Sequence, residues 1–254
     1  MIFHNAIVRM PGENIVNALT TQNLGKPEYI KALRQHYNYV NALEKSGLKV
    51  TILKPDIRYP DATFVEDTAV LTERCAILTN LGAKSRRGEE EEIREVLEGF
   101  FTNIEAIRPP GTLEGGDVMR AEDYFYIGLS ERTNEEGAKQ LIDILSKYNY
   151  RGITVPLKKA LHLKTGLAYI GENTLIARGE FINSPIFKGF NIIEIDDDER
   201  YAANCIRVND YVLLPEGYPK IMETIQRVGY KTIMVDVSEF KKIDGGLSCL
   251  SLRF

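Results

Sequence analysis

The hydrophobic positions of this chain change period in a fixed order that recurs along its length. Spacing of three to four residues predicts a helix over residues 27–46. Pro27 lies in its first turn, Ile30, Leu33, Tyr37 and Val40 share one face, and Gly47 follows its end. A short apolar run, Val50 to Leu53, reads as a strand. A polar loop through Thr63-Phe-Val-Glu-Asp67 leads into a hairpin, Ala69 to Leu71 and Cys75 to Leu78, turning near Glu73. The pattern then repeats. A helix over 89–101 carries Ile93, Val96, Leu97 and Phe100, the next strand is Ile104 to Ile107, and Leu113-Glu-Gly-Gly-Asp117 precedes a hairpin from Val118 to Ile127. Thr133-Asn-Glu-Glu136 predicts a capping box for a third helix running to about Lys147. The strand Ile153 to Leu157, the loop Leu161 to Gly166 and a hairpin from Leu167 to Ile176 complete that copy. The fourth copy has a weaker helix near 179–188, interrupted by Pro185, then the strand Ile192 to Ile195 and a hairpin from Cys205 to Leu214. The fifth has a helix near 218–228 closed by Gly229, the strand Thr232 to Val237, and the segment Asp244-Gly-Gly-Leu-Ser-Cys249.

The residues just before the hairpins are Glu66, Glu114, His162, Asn204 and Cys249, separated by 48, 48, 42 and 45 positions. A period of this size implies supersecondary units that bury their faces only against one another. The fifth unit ends at Phe254 with half a hairpin, while the apolar-rich segment Ile2 to Met10 belongs to no other unit. That segment is therefore expected to pair with residues 249–254, closing a ring of five ββαβ units and covering an exposed sheet edge. The expectation is one α/β domain over residues 1–254, with the five pre-hairpin residues converging near its axis.

Composition narrows the classes. Apolar residues make up 44% and charged residues 27% of 254, as in an ordinary globular chain. A net charge of −4 with no basic cluster argues against nucleic acid or an anionic membrane as partner. There is no apolar stretch of membrane-spanning length and no secretory pattern at the N-terminus. Three dispersed cysteines without a CxxC point to a reducing compartment, so a cytoplasmic location is expected.

The repeat register also changes the meaning of the polar residues. Cys249 alone would be read as a buried structural thiol, His162 as a core or surface histidine, and Glu114 as a solvated carboxylate. Brought to one place, they are the parts of activated-nucleophile catalysis.

The motifs Leu19-Thr-Thr with Leu24-Gly-Lys-Pro27, Phe64-Val-Glu-Asp67, Ser85-Arg-Arg-Gly88 and Leu113-Glu-Gly-Gly-Asp117 form one distinctive set. It continues through His162-Leu-Lys-Thr-Gly166, Tyr201-Ala-Ala-Asn-Cys205, Lys242-Ile-Asp-Gly-Gly246 and Ser248-Cys-Leu-Ser-Leu-Arg-Phe254. Over its whole length the chain resembles the dimethylarginine dimethylaminohydrolases, within the guanidino-group-modifying superfamily that includes arginine deiminase. The resemblance implies a five-bladed α/β propeller and hydrolysis of methylated arginines to citrulline. It assigns Cys249 as nucleophile, His162 as general acid and then base, and Glu114 as the carboxylate that orients His162. It places Asp67, with Glu66 and Asp61 nearby, at the substrate guanidinium. Arg86 and Arg132 fall to the α-carboxylate, and backbone carbonyls around Leu19 and Ile243 to the α-amino group. No metal and no cofactor is required. In the arginine deiminases an aspartate stands two residues after the histidine; here Lys164 takes that position, which favours a methylated guanidinium over a free one. The expected partner is a small cationic amino acid, with a homodimer admissible. A deiminase-like activity on arginine and a non-enzymatic binding role are the competing readings.

Overall fold

The computed structural model of the protein describes residues 2–158 and 160–254. Its strands form five three-stranded sheets. They fall in two compact units, Met1–Val65 with Glu194–Phe254, and Glu66–Ile193.

In the first unit, β1 (Asn5–Arg9) is joined by α1 (Tyr29–Lys45) to β2 (Lys49–Leu53), which lies parallel to it. The last strand, β15 (Leu252–Arg253), pairs antiparallel with β1, Ala6 opposite Arg253 and Ile7 opposite Leu252. The N-terminal strand thus supplies the partner that the half-hairpin predicts. The second sheet of this unit has β12 (Ile206–Val208) antiparallel to β13 (Tyr211–Pro215). The helix α4 (Pro219–Arg227) then leads to the parallel strand β14 (Lys231–Val235). A short helix not anticipated from the pattern, α5 (Ser238–Lys241), follows. The core of the unit gathers Ala6, Val8, Tyr39, Leu43, Leu213, Phe240 and Leu250.

The second unit repeats the design. The hairpin β3 (Ala69–Leu71) and β4 (Ala76–Leu78) is followed by α2 (Glu89–Leu97) and the parallel β5 (Ile104–Ala106). The hairpin β6 (Val118–Ala121) and β7 (Tyr124–Leu129) is followed by α3 (Glu135–Lys147) and the parallel β8 (Arg151–Pro156). The third sheet orders β11 (Asn191–Glu194), β10 (Thr174–Ala177) and β9 (Leu167–Gly171). Its expected crossover helix near 179–188 is absent. Two 3-10 turns, Gly179–Phe181 and Pro185–Phe187, stand there, because Pro185 cannot donate to the preceding turn.

Two further expectations change. Along α1, Ile30 and Tyr37 are 58% and 64% exposed, and the buried face runs through Ala32, Gln35, His36, Tyr39, Val40 and Leu43. Gln35 belongs inside because its amide donates to Ser238 Oγ at 2.8 Å and its carbonyl accepts the Glu239 N–H at 3.0 Å. A stripe drawn from hydrophobicity alone therefore has the wrong phase. The cap of α3 is Asn134, whose side chain accepts the Gly137 N–H at 2.8 Å, one residue later than the capping box placed it. Thr133 is engaged elsewhere, at the candidate site.

Each hairpin is preceded by a 3-10 turn, and these turns present the residues picked out by the repeat. Glu66 lies in Val65–Thr68, Glu114 precedes Gly115–Asp117, His162 precedes Leu163–Thr165, Asn204 follows Asp197–Ala203, and Cys249 is central in Ser248–Leu250.

Candidate active site

In the second unit the predicted polar residues meet. Glu114 and His162 both leave extended backbone immediately before a turn. His162 Nε2 and Glu114 Oε2 are 2.8 Å apart. The other Glu114 oxygen accepts the Ala83 N–H at 2.9 Å and lies 3.6 Å from Arg132 Nη1. Gly116 permits the approach of these groups, since a Cβ there would collide with the His162 ring and with Asp67 Oδ1. Gly82 does the same for the Arg132 backbone.

Asp67 accepts the Gly116 N–H at 2.9 Å and the Arg86 Nη1–H at 2.6 Å. Arg86 is itself buried, and its Nε and Nη2 donate to Glu89 at 3.0 and 2.8 Å. Arg86 was expected to face a substrate carboxylate; two carboxylates of its own chain, Asp67 and Glu89, grip it here. Asp67, expected at a substrate guanidinium, holds an internal one. Glu66 forms an ion pair with Lys164 at 2.7 Å, so the position that distinguishes this chain from the deiminase pattern is electrostatically tied to a second predicted site residue.

These neighbours decide protonation. Burial would lower the His162 imidazolium, but the hydrogen bond to Glu114 and the charges of Asp67, Asp117 and Glu114 outweigh it and hold His162 up at about 9. Burial would raise Glu114, and the His162 hydrogen bond brings it below the usual carboxylate range despite the neighbouring Asp67. For Asp67, the Arg86 guanidinium and His162 likewise overcome burial and hold the carboxyl low. At neutral pH the site therefore holds an imidazolium hydrogen-bonded to a carboxylate, which is a proton donor in waiting. One ligand atom each from Asp67, Glu114 and His162 lie within 4.8 Å of one another, a spacing that a divalent cation could bridge. Arg86, Gly116 N–H, Ala83 N–H and His162 already occupy those carboxylates.

In the first unit, Cys249 is partly exposed and takes part in no disulfide. The turn leading to it contains two glycines, and neither supplies its left-handed residue. The left-handed residue is Asp244, at φ 60°. Gly245 and Gly246 are needed because a Cβ would strike the Phe64 ring and the Asn204 side chain. Asn204 grips the residue before the thiol: its carbonyl accepts the Ser248 N–H at 2.9 Å and its amide donates to Ser248 Oγ at 3.0 Å. Tyr39 donates to the Leu247 carbonyl at 2.9 Å, and Tyr201 donates to the Gly245 carbonyl at 2.8 Å. The Leu19 N–H donates to Asp61 at 3.1 Å, and Ile243 is buried in the same core. Cys205 is a packing residue, its thiol pushed up to about 12 by burial.

Sequence reasoning did not identify Glu89, Asp117, Thr133 or Ser248. Glu89 had a signal, since it stands three residues after Arg86 in a segment entering a helix. The other three have none locally, because their partners are distant in sequence.

A sequence model of the family described as N,N dimethylarginine dimethylhydrolase, eukaryotic, matches residues 15–250. The N(G),N(G)-dimethylarginine dimethylaminohydrolase of Pseudomonas aeruginosa is 54% identical over 254 residues, covering all of both chains. Among solved structures, a C249S mutant of the Pseudomonas aeruginosa enzyme complexed with citrulline matches with a TM-score of 0.99 and 53% identity over the whole of both chains. A dimethylarginine dimethylaminohydrolase H162G adduct with S-methyl-L-thiocitrulline matches with a TM-score of 0.98 at 53% identity, again over the whole of both chains.

Proposed function

The chain belongs to the N,N-dimethylarginine dimethylhydrolase family, and from that premise we propose that it hydrolyses N-omega-methylated arginines. Asymmetric dimethylarginine and monomethylarginine give citrulline with dimethylamine or methylamine, through a covalent intermediate on Cys249. The observation that carries this reading is the 2.8 Å contact of His162 with Glu114, which keeps the imidazole protonated up to about pH 9. The relatives solved with citrulline and with a thiocitrulline adduct bear substitutions numbered 249 and 162, where this chain has Cys249 and His162, and this supports the two roles.

The Cys249 thiolate adds to the guanidinium carbon and forms a tetrahedral adduct. His162, as imidazolium, gives its proton to the departing methylated nitrogen. The C–N bond breaks and a thiouronium remains on Cys249. The now neutral His162 takes a proton from water as the water oxygen adds to the same carbon. Collapse breaks the C–S bond and returns the thiolate, and the added hydroxyl gives its proton to solvent, leaving the ureido carbonyl of citrulline. Glu114 holds the ring and favours its charged form in both halves. Asp67, Glu66 and Asp61 are assigned to the substrate guanidinium, Arg86 and Arg132 to its carboxylate, and the backbone at Leu19 and Ile243 to its amino group. Lys164 neutralises the Glu66 side of this set, which favours a methylated guanidinium over one that needs a second carboxylate clamp. This chemistry requires the five units to act as one closed α/β propeller domain, with their pre-hairpin residues facing a common axis. The pairing of β1 with β15 supports that closure. No helix among the described residues is long and apolar enough to cross a membrane. Three dispersed cysteines without a CxxC support a cytoplasmic site of action.

Two measurements test the reading. Dimethylarginine is expected to turn over faster than arginine, and equal or better use of arginine would overturn the substrate assignment. Mass spectrometry after quenching with a slow thiocitrulline substrate is expected to find the adduct on Cys249; an adduct elsewhere, or none with turnover intact, would overturn the nucleophile.

A further inference from the structure

We propose that Asp117 is a positioning residue for the reaction, a buried carboxylate that sets the mutual placement of Glu114, His162 and Arg132. The proposal rests on the reading of Glu114 and His162 as the orienting carboxylate and the proton donor.

Asp117 closes the 3-10 turn Gly115–Asp117 and has no exposed surface. Among the described residues, the hydrogen-bond partners of its carboxylate are all donors, and each leads in one step to a proposed site residue. Oδ1 accepts the Leu163 N–H at 3.0 Å, so the peptide immediately after His162 is fixed. Oδ2 accepts from the Thr133 hydroxyl at 2.7 Å, and Thr133 Oγ1 accepts the Glu114 N–H at 3.1 Å. The same Oδ2 accepts from the Ser130 hydroxyl at 2.6 Å, and Ser130 Oγ accepts the N–H groups of Arg132 and Thr133 at 3.0 and 3.2 Å. Both hydroxyl oxygens are occupied by backbone donors, so both hydroxyl protons must point to Asp117. Only an acceptor satisfies this arrangement. Room is made for it at Gly128, where a Cβ would lie 3.0 Å from Asp117 Oδ1 and 3.1 Å from Leu163 Cβ.

The carboxylate also faces the imidazole electrostatically, and its charge is one of those that hold His162 high. Asp117 thus does for the acid–base pair what outer carboxylates do for metal-bound histidines. It fixes the backbone that carries the ring and biases the ring's charge without touching substrate.

Asp117→Asn separates this role from simple packing. The volume is conserved and the Leu163 contact is retained, but the amide would donate toward hydroxyls whose protons then lack an acceptor. We expect kcat to fall about 10- to 100-fold with KM little changed. The basic limb of the kcat–pH profile should move to lower pH. NMR titration of His162 in the ligand-free enzyme should show the same downward shift. Wild-type kcat with an unmoved His162 titration would overturn the proposal. If Asp117→Asn does not fold, two milder variants decide. Thr133→Val should lower kcat through Glu114, and Ser130→Ala should raise KM through Arg132. Equal proportional losses of kcat in both, or none in either, would overturn it. His162→Gln keeps the two levels apart. Full turnover in that variant would sink the acid–base reading itself, whereas a dead His162→Gln beside an unaltered Asp117→Asn would remove only the role given to Asp117.

Discussion

Two histidines, one buried in the first unit and one partly buried in the second, are held in opposite states of charge. His36 on α1 is 2% exposed, packs near the Phe240 ring, and its Nε2 has no hydrogen-bond partner among the described residues. Burial drives it down to about 4, against a hydrogen bond with the Arg9 backbone. His162 keeps 12% of its side chain exposed, stands among Glu114, Asp67 and Asp117, and is held up at about 9. Burial favours the neutral ring in both; only the carboxylates differ. The contrast extends to their surroundings. The polar cluster of the second unit is held by ions, Arg86 with Asp67 and Glu89, and Lys164 with Glu66. The segment of the first unit that carries Cys249 is held mainly by neutral bonds from Asn204, Tyr39 and Tyr201, with one charged donor, Arg253, reaching the Ser251 hydroxyl at 2.6 Å. The histidine proposed to give and take a proton is placed among charges, and the cysteine proposed to attack is placed mainly by neutral hydrogen bonds.

The sharpest way to break this contrast is to remove the central cation. Arg86→Ala leaves Asp67 and Glu89 buried without their counter-charge, and should lower unfolding stability by about 3–5 kcal/mol in urea titrations. A loss below about 1 kcal/mol would mean that the ion cluster is not what holds this region.

Next come the histidines themselves, with opposite signs. His36 binds its proton more weakly folded than unfolded, so its stabilising contribution is complete above pH 6.5 and is lost as pH falls toward 4. A shift from 6.5 to about 4 corresponds to roughly 3 kcal/mol. His162 binds its proton more tightly folded, so its contribution is complete below pH 6.5 and is lost as pH rises through about 9. His36→Leu should flatten the acid side of the stability–pH curve and leave the alkaline side unchanged. His162→Gln should do the reverse. The same limb flattened by both variants would contradict the contrast.

The smallest effect is expected in the neutral region. Asn204→Ala strips two hydrogen bonds from Ser248 and leaves its buried N–H unsatisfied, at a cost of about 1–3 kcal/mol. Because no charge is removed, this loss should be insensitive to salt, whereas exposed pairs such as Lys220–Asp198 should weaken with it. A strongly salt-dependent Asn204→Ala penalty would show that the Cys249 segment is also held electrostatically.

Much of this molecule could be read along the chain. The order of the strands, four of the five crossover helices, the five-fold recurrence and the partner of β15 follow from period and from one unmatched apolar segment, because local propensity and alternation are properties of near neighbours. The register also singles out Glu66, Glu114, His162, Asn204 and Cys249, since each sits at the hairpin-entry position of its own unit. Folding decided what these residues meet. The inward phase of α1 depends on Gln35 finding Ser238 and Glu239, over two hundred positions away. The displacement of the α3 cap to Asn134 depends on Thr133 being held by Asp117 and Glu114. The opposite charges of His36 and His162 depend on carboxylates that lie 45 to 95 positions from His162, and on their absence from the recorded contacts of His36. Hydrophobic period is written in the spacing of neighbours, whereas ionisation and hydrogen-bond satisfaction are set by whichever groups the packed chain brings within a few ångströms.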